Sequence, residues 1–142
     1  MARHFPGNWP IPEIDKFNRD FFTSGKLVVQ ECASCGTVQH PPEEVCHKCY
    51  GVEFKARETN GLGTIYSYIV AHNPPSPAFT DAVPYGVILV SLDEFPQVRI
   101  LGNALNRKPS ELEIGQKVRA VFEEIDDEEA GEKLLMPQWE VV

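Results

Sequence analysis

The chain has no window approaching the roughly 20 consecutive apolar residues that would span a bilayer. Its opening, "MARHFPGNWP", carries no apolar run of the kind a secretory signal needs. A soluble, cytoplasmic protein is expected. A field of positive charge is also missing. Asp and Glu number 21 against 13 Lys and Arg, a formal net charge of -8. The bases Arg99, Arg107, Lys108, Lys117 and Arg119 are scattered rather than clustered, which argues against a groove for nucleic acid. The acid excess is local: "EEIDDEEAGE", Glu123 to Glu132, holds seven acids and no base, and without it 14 acids face 13 bases. That run reads as a solvated turn, with an interaction tail as the alternative.

Catalytic signatures are lacking too. There is no G-x-S-x-G elbow, no Walker loop and no G-x-G-x-x-G at a strand-to-helix junction, and "NGLGT" at Asn60 to Thr64 is a turn into a strand. His72, beside Asn73, has no nucleophile or orienting carboxylate placed next to it by sequence, so on the residues alone it reads as a packing or hydrogen-bonding group.

What the chain does have is an unusual placing of its few cysteines. All four lie in "QECASCGTVQHPPEEVCHKCYG", as Cys32-Ala-Ser-Cys35 and Cys46-His-Lys-Cys49, two C-x-x-C pairs with ten residues between them. Two residues between cysteines allow a tight turn that points both sulfurs at one centre, and turn amides can donate to the thiolates. Two such knuckles supply four sulfurs in a tetrahedron, the arrangement of structural zinc. A rubredoxin-like iron centre uses the same ligands, so zinc and iron both remain open on ligand type. Four thiolates leave no coordination position for water or substrate, which makes the expected ion structural. His40 and His47, close by, read as surface residues outside a cysteine-only shell.

Around this module the pattern is mainly β. Ile14, Phe17, Phe21 and Phe22 fall at offsets 0, 3, 7 and 8, between Pro12 and Gly25, and predict an amphipathic helix over Glu13 to Ser24. Its aromatic stripe either packs on its own domain or docks on a partner. "KLVVQE" and "TVQHPP" read as ribbon strands. From Phe54 onward come "FKARET", "GTIYSYIVAH", "YGVILVSL", "QVRILG", "KVRAVFEE" and "LLMPQWEVV", short strand-like runs divided by Gly, Pro and Asn/Asp, with "PSELEIG" as a brief helical candidate. The expected organisation is a helical segment over 1–25, a rubredoxin-like zinc ribbon over 26–54 and a five-stranded OB-fold barrel over 55–142. Between two strands, "AHNPPSPAFTDAVPYG" carries Pro74, Pro75, Pro77 and Pro84, which stiffen a loop bearing Phe79 and Tyr85. It reads as a recognition loop or as an inert connector with a buried anchor.

The order of these pieces resembles a known family. The helix ending in "FFTSGKLVVQECASCGTVQHPPEEVCHKC", then "GLGTIYSYIVAHNPPSPAFTDAVPYGVILVSLDE", "ILGNAL" and "EIGQKVRAVFEE", look like the acyl-CoA-associated zinc-ribbon/OB-fold family, whose members accompany thiolases and thiolase-like enzymes. The likeness covers nearly the whole chain. It implies zinc on Cys32, Cys35, Cys46 and Cys49, a thiolase-fold partner subunit, and a non-catalytic role in handling coenzyme A thioesters, in settings such as thiolysis or retro-aldol removal of steroid side chains. It also implies that the loop from His72 through Phe79 to Tyr85 and the strand from Leu101 to Asn103 lie toward acyl-CoA or the partner. Phe17 and Phe21 of the aromatic stripe are further candidates for that contact. Family members often carry Gly or Pro in the second knuckle where His47 and Lys48 stand here, a departure that bears on the ribbon surface more than on the metal. The alternative function is a single-stranded nucleic-acid-binding zinc-ribbon/OB module; an iron electron carrier is a third.

Overall fold

The structure, a computed structural model, describes residues 11–127 and 132–142. One short helix, α1 (Arg19–Thr23), precedes eight strands: β1 (Val28–Cys32), β2 (Val38–Gln39), β3 (Phe54–Glu58), β4 (Leu62–Ala71), β5 (Tyr85–Leu92), β6 (Arg99–Gly102), β7 (Lys117–Asp127) and β8 (Glu132–Val141). The strands form two antiparallel sheets, one ordered β2-β1-β3 and one ordered β6-β5-β4-β7-β8.

The helix is shorter than the apolar spacing predicts. Residues 13–18 are held by side chain to backbone bonds instead: Asp15 Oδ1 accepts from the Phe17 and Asn18 amides at 2.7 and 2.9 Å, and Asn18 Nδ2 donates to the Glu13 carbonyl at 3.0 Å. Short polar side chains compete with the helical ladder in this way, so the helix begins only after Asn18. Phe21 is still buried, with its ring 4.9 Å from Phe22 and 4.9 Å from His40.

The acidic run departs from expectation as well. Strand β7 continues through Asp127, and the register pairs Glu123 with Met136 and Ile125 with Leu134. Ile125 and Leu134 are both buried, and this apolar pair carries the ladder into the acidic segment. Glu123 and Glu124 are strand residues, as the run "KVRAVFEE" predicts, but the strand runs on to Asp127 through what reads as a solvated turn, and Glu123 is buried. Residues 128–131 of the run lie outside the described residues.

Alternation along β5 puts Ile88, Val90 and Leu92 inside, where they meet Ile65, Ile100, Val118 and Trp139. The same cluster includes Leu27, Val28, Val29 and Val38 of the ribbon and Phe21 of the helix, so the small sheet, the helix and the large sheet share one core. Strand β3 pairs along its whole length with β1, and Glu31 on β1, with 11% of its side chain exposed, receives Lys55 Nζ at 3.1 Å and Arg57 Nη1 at 3.3 Å from β3. The two edges of the large sheet, β6 and β8, have no ladder between them among the described residues. They meet at one parallel bridge, Ala104 with Trp139, where the Trp139 amide donates to Asn103 O at 3.0 Å and the Leu105 amide to Trp139 O at 2.9 Å. Gly102 allows this closure, since a Cβ there would lie 2.7 Å from Trp139 Cδ1. No helix among the described residues is long and apolar enough to cross a membrane.

Candidate metal centre and partner-facing residues

Strand β1 delivers Cys32, and the chain turns at once. The Gly36 amide donates to Cys32 O at 3.0 Å, and in the second knuckle the Tyr50 amide donates to Cys46 O at 3.0 Å. The residue after each second cysteine adopts a left-handed backbone: Gly36 at φ 76° and Tyr50 at φ 64°. Glycine takes that conformation freely, whereas a side chain costs about 1–2 kcal/mol; Tyr50 holds it with its ring in solvent. Both turns aim their sulfurs inward, and the four Sγ atoms lie within 4.8 Å of one another.

The spacing fits a tetrahedral ion. Metal–sulfur bonds near 2.3 Å imply sulfur–sulfur edges of about 3.8 Å. Cys32 Sγ stands 3.6 Å from Cys49 Sγ, and Cys35 Sγ 3.7 Å from Cys46 Sγ. The surroundings favour anionic sulfur. The Lys48 amide points at Cys46 Sγ from 3.4 Å. Amide donors from Cys35 and Ser34 hold the Cys32 thiol below its ordinary range. Thr37, whose hydroxyl lies 3.0 Å from Cys35 Sγ, lowers the Cys35 thiol to about 6, helped by its own amide. For Cys49 the Gly51 amide acts downward, but Cys35, Cys32, desolvation and Cys46 outweigh it and push the thiol up to about 12. Crowded thiolates without a cation repel in this manner, and a divalent ion among them reverses the balance. A Cβ on Gly51 would sit 3.3 Å from both Cys32 Sγ and Cys49 Sγ, so this glycine leaves room for the sulfurs.

A polar network braces the second knuckle. His47 Nδ1 lies 2.7 Å from Gln39 Oε1, Gln39 Nε2 donates to Gln30 Oε1 at 2.7 Å, and Gln30 Nε2 donates to Glu43 O at 2.7 Å. Gln30 and Gln39 are both buried. Sequence reasoning overlooked this network, whose only signal is a pair of glutamines on facing ribbon strands. His40 is also not the surface residue expected: it is half-buried against Phe21, its Nδ1 is buried without a hydrogen-bond partner, and burial lowers its pKa to about 4.

The remaining candidates are spread over the molecule. Phe17 is half-buried and lines a 260 Å³ groove with Phe21 and Val52 between the N-terminal segment and the ribbon. Phe79, in the middle of the proline loop, and Tyr85, where it enters β5, are half-buried with ring centres 6.2 Å apart, and Leu101 stands 65% exposed on the outer face of β6. His72 is exposed at the rim of a 440 Å³ apolar groove formed with Val70, Pro84, Lys108 and Pro109. Asn103 is engaged within the chain: its Nδ2 donates to Gly86 O at 2.7 Å, its amide donates to Gln138 Oε1 at 2.8 Å, and its Oδ1 accepts from Gln138 Nε2 at 3.2 Å.

Comparison with known proteins agrees with this two-part layout. Residues 19–54 match the family described as "ChsH2, rubredoxin-like zinc ribbon domain", and residues 56–123 match "ChsH2, C-terminal OB-fold domain". A "DUF35 domain-containing scaffold protein" of Methanocaldococcus jannaschii is 36% identical over 103 residues, 72% of this chain and 71% of that one. The chain belongs to the ChsH2 (DUF35) zinc-ribbon/OB-fold family.

Some ChsH2 relatives are larger. A "probable enoyl-CoA hydratase alpha subunit" of Thermomonospora curvata is 41% identical over 122 residues, 84% of this chain, which spans 37% of that protein. Among solved structures, the "Ltp2-ChsH2(DUF35) aldolase" contains a chain with 36% identity and a TM-score of 0.72, covering 92% of this chain and 98% of its own. In ChsH2 terms, the expected zinc ribbon and OB-fold unit are both present, and the four cysteines are positioned as a zinc ribbon requires.

Proposed function

We propose that the chain is a non-catalytic accessory subunit of a cytoplasmic complex that cleaves or forms a C–C bond in an acyl-CoA thioester. Its partner is a thiolase-fold subunit that supplies the reacting groups. The observation that carries this reading is the likeness over 98% of the ChsH2 (DUF35) chain found in an aldolase with Ltp2. Cys32, Cys35, Cys46 and Cys49 would hold zinc, whose saturated shell fixes the two knuckles and leaves no site for substrate. The five-stranded unit acts as an OB barrel joined at the Ala104–Trp139 bridge. The domain limits read from the sequence are 1–25, 26–54 and 55–142; pairing of β3 with β1 carries the ribbon sheet on to Glu58, and the strands of the barrel begin after it. The loop from His72 to Tyr85 and the strand around Leu101 face the thioester or the partner, and Phe17 extends that contact. The chain's contribution is positional, and orientation of a bound thioester can change a rate by orders of magnitude.

The test is reconstitution. The thiolase-fold subunit is purified with and without this chain, and retro-aldol or thiolytic turnover of an acyl-CoA is followed by release of the smaller thioester. Turnover is expected only for the pair; full activity of the large subunit alone would refute the accessory role.

A further inference from the structure

Register places one set of side chains on the outer face of the large sheet. Ser67 faces Leu89, Ile69 faces Val87, Leu89 faces Leu101 and Ser91 faces Arg99, all opposite the inward set Ile88, Val90 and Ile100. A bulge between Ile65 and Ser67 carries Tyr66 outward. Ile69 is 63% exposed, Leu101 65% and Tyr66 51%, and alternation along β5 extends the same face to Tyr85. A contiguous aliphatic face on a sheet with a full core behind it is the kind of surface that a protein partner covers.

Charge distinguishes the occupant. The bases of β7 and β8 are paired: Lys117 with Asp93 at 3.3 Å, Arg119 with Glu140 at 2.9 Å and Lys133 with Glu124 at 3.1 Å. Arg99 makes no ion pair among the described residues. Its guanidinium lies 4.0 Å from the centre of the Tyr66 ring, beside the aliphatic residues. The ring holds it in place without neutralising it, which leaves a bidentate donor for a carboxylate from outside. A polyanion fits poorly here, because the face has one cation and the chain carries a net charge of -8.

We propose that the outer face of β4, β5 and β6 is the docking surface for the acyl-CoA enzyme's large subunit, received as an apolar ridge flanked by an Asp or Glu that pairs with Arg99. This rests on the accessory reading above. Tyr66 and Arg99 are the residue types that dominate binding energy at such centres.

The tagged chain is expressed in its native cells, the thiolase-fold subunit that accompanies it is identified by mass spectrometry, and the two are reconstituted from pure components for titration calorimetry. Leu101→Asp is expected to weaken binding at least 100-fold and Arg99→Glu about 10-fold or more. Lys133→Glu, at the far hairpin, is expected to change it less than threefold. Arg99→Glu keeps an exposed side chain and serves as the second variant should Leu101→Asp fail to fold, with metal content and melting temperature as checks. Wild-type binding that survives both substitutions within threefold overturns the docking face and leaves the accessory role standing. Failure of the wild-type pair to form overturns both.

Discussion

Replacing Gly102 by alanine tests the way the large sheet closes. The added Cβ would lie 2.7 Å from Trp139 Cδ1 and 2.9 Å from Nε1, where carbon atoms favour about 3.5–4.0 Å. Trp139 is fully buried, and its backbone is bonded on both sides to Asn103 and Leu105, so its ring cannot retreat alone. Overpacking of this kind costs about 1–3 kcal/mol, and the rigid neighbour places Gly102→Ala in the upper part of that range. Loosening the two bridge bonds adds about 1 kcal/mol. The reduced backbone freedom of alanine in the unfolded chain offsets about 0.5–1 kcal/mol. The net expectation is a loss of about 2–3 kcal/mol, or a fall in melting temperature of about 8–12 °C for a chain of this size. Urea unfolding followed by the near-ultraviolet tryptophan signal, to which Trp139 and Trp9 both contribute, reads the first quantity, and calorimetry the second. The neighbouring Leu101→Ala, at an exposed position, should stay within about 0.5 kcal/mol of wild type. If Gly102→Ala matches wild type to the same margin, the closure described here is wrong.

Other substitutions test the ribbon. Gly51→Ala puts a methyl group against two sulfurs that a bound ion would hold still, so zinc affinity should drop about 10-fold or more in a competition titration with a chromophoric chelator; unchanged affinity would remove Gly51 from the site. Stripping the metal should abolish the ordered signal of 27–54, since structural zinc in small modules supplies folding free energy, and native-like amide protection of that segment in verified apoprotein would contradict it. His40 gives a pH dependence. Its folded pKa of about 4 lies below the ordinary 6.5, so between these values the unfolded chain binds the extra proton and stability falls as pH falls, by at most about 1.4 kcal/mol per unit. The His40→Phe variant should show a flatter profile over that window in denaturant melts, and a parallel profile would refute the assignment.

Much of this architecture was legible in the chain itself. Spacing of the cysteines specified the knuckles because two intervening residues fix a turn whatever surrounds it. Alternation specified β5, whose bounds match the run "YGVILVSL" residue for residue. The helix was misread because Asp15 and Asn18 offer the backbone local partners that an apolar period does not register. The run "KVRAVFEE" located β7 as far as Glu124, but its continuation to Asp127 was missed because the net charge of the acidic segment concealed Ile125, whose pairing with Leu134 carries the strand onward. Arg99 looked like one of five scattered bases, and its neighbour Tyr66 was not visible as such because the contact crosses from β4 to β6 at a bulge. Tertiary contacts of that kind have no local signature.

Because Phe21, the ribbon valines and the inward side chains of the large sheet pack as a single cluster, the metal knuckles cannot swing independently of the outer sheet face. A protein gripping both ends therefore meets a calliper of fixed span, and any enzyme that assembles on it must present its own contact points at that same separation.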